Sequence, residues 1–172
     1  EINPDERWAR VEPGVIRDTL NREAAQHGLQ FGPDTATTNR CMIGGMIGNN
    51  SCGAFSIKHK TTREHILEVD AILSDGTAAT FHPLSEIELK EKMKLDTMEG
   101  SIYREIIGLL QKHRDAIFES YPHPDIIRRN TGYALDRLCE MDPITPGGRP
   151  FNMAELLCGS EGTLAMTTSA KL

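Results

Sequence analysis

The 172-residue chain reads as one α+β domain with hairpin-style strand connections rather than a regular βαβ alternation. Three observations carry that reading. Apolar residues at 66–74 run into Asp75-Gly76 and return as 77–81, the pattern of a β-hairpin. Two stretches, 15–27 and the one opening at Ser101, space their apolar residues as amphipathic helices do. Residues 163–170 alternate apolar and polar positions as a further strand.

The elements follow in chain order. Trp8-Ala9-Arg10-Val11-Glu12 alternates like a half-buried strand and stops at Pro13-Gly14. In 15–27, Ile16, Leu20 and Ala24 share a face, and Gly28 is the expected helix stop. A loop at 31–34 leads into a glycine-rich segment with helical turns at its start, whose first amides are expected to lack partners. After the hairpin, 84–98 is charged and helical or loose. Ser101 is the expected cap of the next helix, with Ile102, Ile106, Leu109 and Leu110 on its face and Lys112, His113 and Arg114 at its C-terminal end. Prolines 122 and 124 end it. Residues 142–150, with three prolines and two glycines, read as an exposed loop, and 153–157 as a short apolar element.

Composition narrows the function. A net charge of −6 and the lack of any Lys/Arg cluster larger than Lys58-His59-Lys60 argue against nucleic acid. Mean hydropathy is −0.39, and no apolar run approaches the ~20 residues of a membrane span. Cys41, Cys52, Cys139 and Cys158 lack Cys-x-x-Cys spacing, so they read as reduced thiols of a cytosolic protein rather than metal ligands. The six histidines form no metal set, and no Ser-His-Asp arrangement stands out. The chain opens at Glu1 and closes straight after an alternating run, which suggests a segment of something longer.

The segment 43–53, Ile-Gly-Gly-Met-Ile-Gly-Asn-Asn-Ser-Cys-Gly, is the most informative. Each glycine weakens a regular element by roughly 0.5–1 kcal/mol relative to alanine. A tight turn under packing pressure and a cradle for a ligand both account for the density. A Rossmann fingerprint fails because the first G-x-G spacing is missing. A Walker-type loop fails because Ala54-Phe55 stands where Lys-Ser/Thr is required. What survives is a neutral cradle of backbone N–H groups, assisted by Asn50, Ser51 and the threonines upstream.

These residues also carry a family resemblance. The glycine segment and the strand ending in Asp75-Gly76 resemble the FAD-binding domain of FAD-linked oxidases, the vanillyl-alcohol-oxidase or PCMH-type flavoproteins. Val11-Glu12-Pro13-Gly14, Asn130-Thr131-Gly132-Tyr133 and Gly159-Ser160-Glu161-Gly162-Thr163-Leu164 match in the same order, so the likeness covers most of the chain. The branch it resembles is that of the D-lactate, glycolate and D-2-hydroxyglutarate dehydrogenases. The resemblance implies a PCMH-like α+β fold, a mixed sheet flanked by helices, with residues 1–172 forming mostly the second subdomain. It places an upstream subdomain before Glu1 and a cap domain after Leu172.

It further implies FAD as cofactor. Pro33, Asp34 and Thr37 would line the ribityl and pyrophosphate region. Gly44, Gly45, Asn50, Ser51, Gly53 and Ala54 would wrap the cofactor, Thr61 and His65 would face it, and Glu161, Gly162 and Leu164 would approach a ring edge. Arg128 and Thr131 are implied on the substrate side, where arginine can pair bidentately with a carboxylate, although a solvated Arg128-Arg129 pair is the ordinary reading. No catalytic residue is assigned. His59-Lys60 stands where the family has Tyr-Gly, which leaves that turn displaced or Lys60 on a phosphate.

The expected function is therefore the FAD-binding segment of a flavin-dependent oxidoreductase acting on a small D-2-hydroxy acid, with electrons leaving to an acceptor or an iron–sulfur domain. The segment alone is expected to be inactive. Localisation is expected to be cytoplasmic, with peripheral contact to the inner membrane open. A non-catalytic nucleotide-binding or assembly module of the same fold is the alternative, and a UDP-N-acetylmuramate reductase-type member is a weaker one.

Overall fold

The computed structural model describes residues 1–123, 125–126 and 132–172. A five-stranded antiparallel sheet is its frame. The strands are β1 (Ile2–Asn3), β2 (Trp8–Val11), β3 (Glu68–Ile72), β4 (Ala78–Phe81) and β5 (Met166–Lys171), in the spatial order β1-β2-β5-β3-β4. The expected hairpin is β3–β4. Its turn uses Gly76 at φ 83°, where only glycine is unstrained, and Asp75 Oδ1 accepts from the Thr77 amide at 2.9 Å. β5 lies between β2 and β3, and the register shifts once between Asp70 and Ala71. On the outer face Arg10 reaches across β5, donating to Asp70 Oδ2 at 2.9 Å and to Glu68.

The inner face presents Val69, Ala71, Phe81 and Ala170, all buried. Of the helices α1 (Arg17–Ala25), α2 (Ile43–Asn49), α3 (Ser56–His59), α4 (Glu86–Lys94) and α5 (Met98–Ser120), the last provides most of the opposing core. Tyr103 packs against both Phe81 and Phe151 with tilted rings, at centroid distances of 6.2 and 6.4 Å. Two short helices, α6 (Leu135–Cys139) and α7 (Ala154–Leu157), close the base of the core.

Three expectations change. α5 starts earlier than expected, because Thr97 is its cap and accepts from the Gly100 amide at 3.3 Å; Ser101 lies inside the first turn. The helix also runs on to Ser120, so Lys112, His113 and Arg114 lie in its body. Its buried stripe is Tyr103, Ile107, Leu110 and Ile117, and Ile102, Ile106 and the exposed Leu109 form a flank beside it. Both stripes are apolar at helical spacing, so periodicity alone could not choose between them. Residues 142–150 are more than an exposed loop. Ile144 is buried, Met141 bridges Arg149, and Gly148 approaches so closely that a Cβ there would lie 2.3 Å from the Glu140 carbonyl.

α4 begins with a capping box in which Ser85 and Glu88 each satisfy the other's amide. Of the two readings of the charged stretch 84–98, helical or loose, residues Glu86–Lys94 take the helical one, and within that helix only Leu89 is buried. No helix among the described residues is long and apolar enough to cross a membrane.

Candidate functional site

The glycine-rich segment forms α2, which buries Ile43, Met46 and Ile47 against the core. Its first amides are not open, contrary to the sequence expectation. The Ile43 amide donates to the Val15 carbonyl at 2.9 Å and that of Gly44 to Pro13 at 2.8 Å. The chain segment before α1 thus occupies that helix end. At the other end the Gly159 and Glu161 amides donate to the Ile47 and Gly48 carbonyls at 3.0 and 2.9 Å. Asn50 closes the helix in the left-handed region, at φ 50°.

Between α2, the 159–162 turn and the start of β5 lies a cavity of about 420 Å³. Gly44, Gly45, Gly48, Ser160, Gly162 and Met166 are among its walls, and no charged side chain lines it. Its size falls within the range of roughly 300–1,000 Å³ usual for ligand pockets. The turn carries two successive residues at positive φ, Glu161 at 53° and Gly162 at 73°. Glu161 is exposed, and its Oε1 accepts from Asn49 Nδ2 at 3.3 Å.

The glycines of the segment have separate reasons. A Cβ on Gly44 would lie 2.6 Å from Pro13 Cβ, and one on Gly53 would lie 1.5 Å from the Asp34 carbonyl oxygen. Those two are required by internal packing. Gly48 would make ordinary contact with Glu161 at 3.7 Å. Gly45 alone meets nothing within 4 Å, and its bare backbone faces the cavity. No contact among the described residues requires a glycine there.

Other candidate residues gather in two places. Asn50, Ser51 and Thr61 meet where α2 passes the 3-10 turn Thr62–His65. Asn50 is buried, and its Oδ1 accepts from the Arg63 amide and the Thr61 hydroxyl, both at 2.9 Å. Its Nδ2 is buried with no partner among the described residues. The Ser51 carbonyl accepts from the Thr62 amide and hydroxyl at 2.9 and 2.8 Å, and Gly53 and the exposed Ala54 follow against Asp34.

Pro33, Asp34 and Thr37 lie in the loop held by Arg17. Its Nε donates to the Pro33 carbonyl at 2.9 Å, and its Nη1 donates to Thr38 Oγ1 at 2.7 Å and lies 3.2 Å from Asp34 Oδ1. Thr37 is exposed. His65 packs edge-on against Phe31 with its Nε2 2.7 Å from the His59 carbonyl, away from the glycine cavity. Leu164 lines a different, apolar groove beside Ile102 and Ile106. Arg128 and Thr131 lie outside the described residues. Lys60 is exposed and holds φ 59°, so the backbone keeps there a conformation that suits the family's glycine.

Two buried arginines escaped the sequence reading. Arg17 sits at the start of the buried face of α1 with Leu20 and Ala24, a spacing that could have marked it. Arg63, in the 3-10 turn, donates through Nε to the Glu155 carbonyl at 3.1 Å and through Nη2 to that of Cys158. Burial lowers its pKa despite nearby carboxylates. No sequence signal separates it from a surface arginine.

Burial pushes the Cys158 thiol up to about 12, which makes it a packing group rather than a nucleophile. Among the described residues no group of three or more His, Cys, Asp or Glu side chains is placed to hold a metal. Burial works against the Glu64 carboxylate, but hydrogen bonds from the Thr61 hydroxyl (2.6 Å) and amide (3.0 Å), with Arg137 nearby, hold its carboxyl below the usual 4.5. This stabilisation is complete above the unfolded value near 4.5 and is lost as pH falls through the lower folded-state value. Melting temperature measured from pH 6 down to pH 3 should therefore drop more steeply for the native sequence than for Glu64→Gln. Parallel curves would remove Glu64 from the acid response.

Comparison with known proteins now bears on this geometry. Residues 1–82 match the family model described as FAD binding domain. The cofactor read from the sequence, FAD, is the one that the match names. Across the whole chain the similarity is to D-2-hydroxyglutarate dehydrogenases, at 36% identity for Pantoea ananatis and 38% for Escherichia coli strain K12. The chain spans about 16% of the length of each. Glycolate oxidase subunit GlcD of Escherichia coli strain K12 is 35% identical over 80 residues, 46% of this chain and 16% of that one. In three dimensions the whole chain superposes on 23% of 6-hydroxy-D-nicotine oxidase from Arthrobacter nicotinovorans, with a TM-score of 0.53 at 13% identity. The fold is the PCMH-like one expected from the sequence, except that its five strands pair antiparallel throughout where a mixed sheet was expected, and the hydroxy-acid dehydrogenase likeness covers the whole chain.

Proposed function

We propose that this chain is the FAD-holding segment of a flavin-dependent oxidoreductase that oxidises a D-2-hydroxy acid such as D-lactate, glycolate or D-2-hydroxyglutarate. The observation that carries the reading is Gly45, a helical glycine whose bare backbone faces a neutral cavity and which no internal contact requires. The names of relatives supply the substrate class: D-2-hydroxyglutarate from those aligned over the full chain, glycolate and D-lactate from those aligned over less than half of it. On this reading residues 1–172 are one part of the FAD-binding domain, and an upstream subdomain and a cap domain belong to the rest of the protein. The acceptor, an iron–sulfur domain among the options, also lies there. A cytoplasmic location, with peripheral attachment to the inner membrane as a variant, goes with it.

The residues present fit FAD. Gly45 admits a flat or charged group against main chain, and a lining without charged side chains leaves the diphosphate to be held by amides and neutral donors. Asn50, which ends α2, does not line the cavity; its Oδ1 is anchored by the Arg63 amide, and its buried Nδ2 has no acceptor among the described residues. Gly162 lets the 159–162 turn close on the cavity without a side chain in the way. When bound, FAD supplies the two-electron acceptor for oxidation of the hydroxyl-bearing carbon. This chain's part is to bind and orient it.

The test is to express the full-length protein, load it with FAD, and titrate it anaerobically with D-lactate, D-2-hydroxyglutarate and glycolate. A visible flavin band that a D-acid bleaches and its L-enantiomer does not is expected. A yellow protein that none of them bleaches would favour the non-catalytic alternative. A protein that cannot be loaded at all would end the flavin reading.

A further inference from the structure

The cavity has two walls, and they are held together from behind. One wall is α2, with Gly44, Gly45 and Gly48; the other is the turn carrying Ser160 and Gly162. α7 precedes that turn, and as a helix of only four residues it leaves its terminal carbonyls in need of donors. Arg63 supplies them, through Nε to the Glu155 carbonyl at 3.1 Å and through Nη2 to the Cys158 carbonyl. The same residue's amide donates to Asn50 Oδ1 at 2.9 Å, and Asn50 is the residue that ends α2. Arg63 therefore joins the residue that ends α2 to the segment that leads into the turn, behind both walls of the cavity and lining neither. It is buried, and its planar fork meets two carbonyls at once, which a lysine ammonium on a flexible stem cannot reproduce.

We infer that Arg63 is the positioning residue of the cofactor site, setting the 159–162 turn against α2 so that the cavity keeps the width that FAD requires. The inference rests on the flavin reading above. It goes beyond it by assigning to a residue outside the cavity the control of cofactor affinity. A subsidiary consequence concerns Asn50. With Oδ1 taken by the Arg63 amide, its Nδ2 is turned to the buried side on which it has no partner, so the main chain at Arg63 also fixes which end of that amide is offered.

The experiment uses the full-length protein and compares Arg63→Lys, Arg63→Met and Gly45→Val. Flavin Kd is measured together with amide hydrogen exchange of the cofactor-free protein. Arg63→Lys is expected to weaken flavin binding at least ten-fold and to speed exchange at Gly159 and Glu161, the amides that bond to α2. Exchange in β3 and β5 should stay unchanged. Arg63→Met should go further in both. Unchanged Kd and unchanged exchange at Gly159 and Glu161 in Arg63→Lys would overturn the inference, while Gly45→Val losing flavin in the same series would leave the flavin reading standing. Wild-type flavin affinity in Gly45→Val would instead bring down the reading on which the inference rests. Should Arg63→Met fail to fold, Arg63→Lys decides alone, and equal acceleration of exchange in the strands and the turn would mark Arg63 as a general stability residue and overturn the positioning role.

Discussion

Gly45→Val is expected to cost the full-length protein its flavin while leaving the fold intact. Gly45 is helical, and a Cβ there meets nothing within 4 Å. Glycine is among the poorest residues for a helix interior, about 0.8–1.0 kcal/mol worse than alanine, and valine lies between the two. The substitution should therefore leave thermal stability equal or slightly higher. Binding responds differently, because the branched side chain projects into the cavity that the cofactor would fill. Forcing extra carbons into a filled space costs about 1–3 kcal/mol, equivalent to a roughly 5- to 150-fold loss of affinity. Isothermal titration with FAD beside a melting curve separates the two quantities. A turn kept glycine-rich for its own conformation would show the opposite, with lower stability and binding in proportion to the folded fraction.

Gly53→Ala is expected to unfold the domain outright. The added Cβ would lie 1.5 Å from the Asp34 carbonyl oxygen and 2.0 Å from its carbon. Both are main-chain atoms, so no rotamer change relieves the overlap. The loop 31–38 would have to move, and that loop is tied by Arg17 to α1 through the Pro33 carbonyl and Thr38. A loss above about 4 kcal/mol, in the exceptional range for a single substitution, is the expected result. Circular dichroism at 25 °C and the yield of soluble protein read it directly. A folded Gly53→Ala variant with near-native melting would mean that the approach to Asp34 is looser than described. The two glycines lie in one short segment, and their variants should fail in different ways: one keeps the fold and loses the ligand, the other loses both.

That contrast shows why the segment was only partly legible in the sequence. Glycine density announced that backbone must come close to something, and four ordered motifs named FAD as the guest. Density could not say which glycine meets the ligand, because Gly44 and Gly53 make their close approaches to Pro13 and Asp34, residues that only the folded chain brings near. The helix after the hairpin failed for a related reason. Its two adjacent apolar stripes are equivalent in the sequence, and the choice between them goes with Phe81 and Phe151, whose rings both lie against Tyr103. Turn chemistry fared better. Asp75-Gly76 specifies its own geometry within four residues, and the hairpin formed where it was expected. Arg63 was passed over because an arginine that caps carbonyls from within the structure looks, in one dimension, like an arginine on the surface, whereas Arg17 had a sequence mark in its helical spacing with Leu20 and Ala24.

The position of β5 has a consequence for how the domain comes into being. Residues 2–11 and 68–81 each form a pair of strands, but no main-chain pairing joins one pair to the other; β5 lies between them and bonds to both. Partners in that central strand are as far apart in the chain as Arg10 and Lys171. Contacts of such long range come late and slowly, because loop-closure entropy is lost before any pairing offsets it. On the ribosome, two half-sheets with open edges would wait until residues 166–171 emerge to fill the gap between them. During that interval the exposed edges of β2 and β3 invite pairing with other chains. A nascent protein of this kind depends on protection at one moment of its synthesis, and the arrival of six residues ends the exposure.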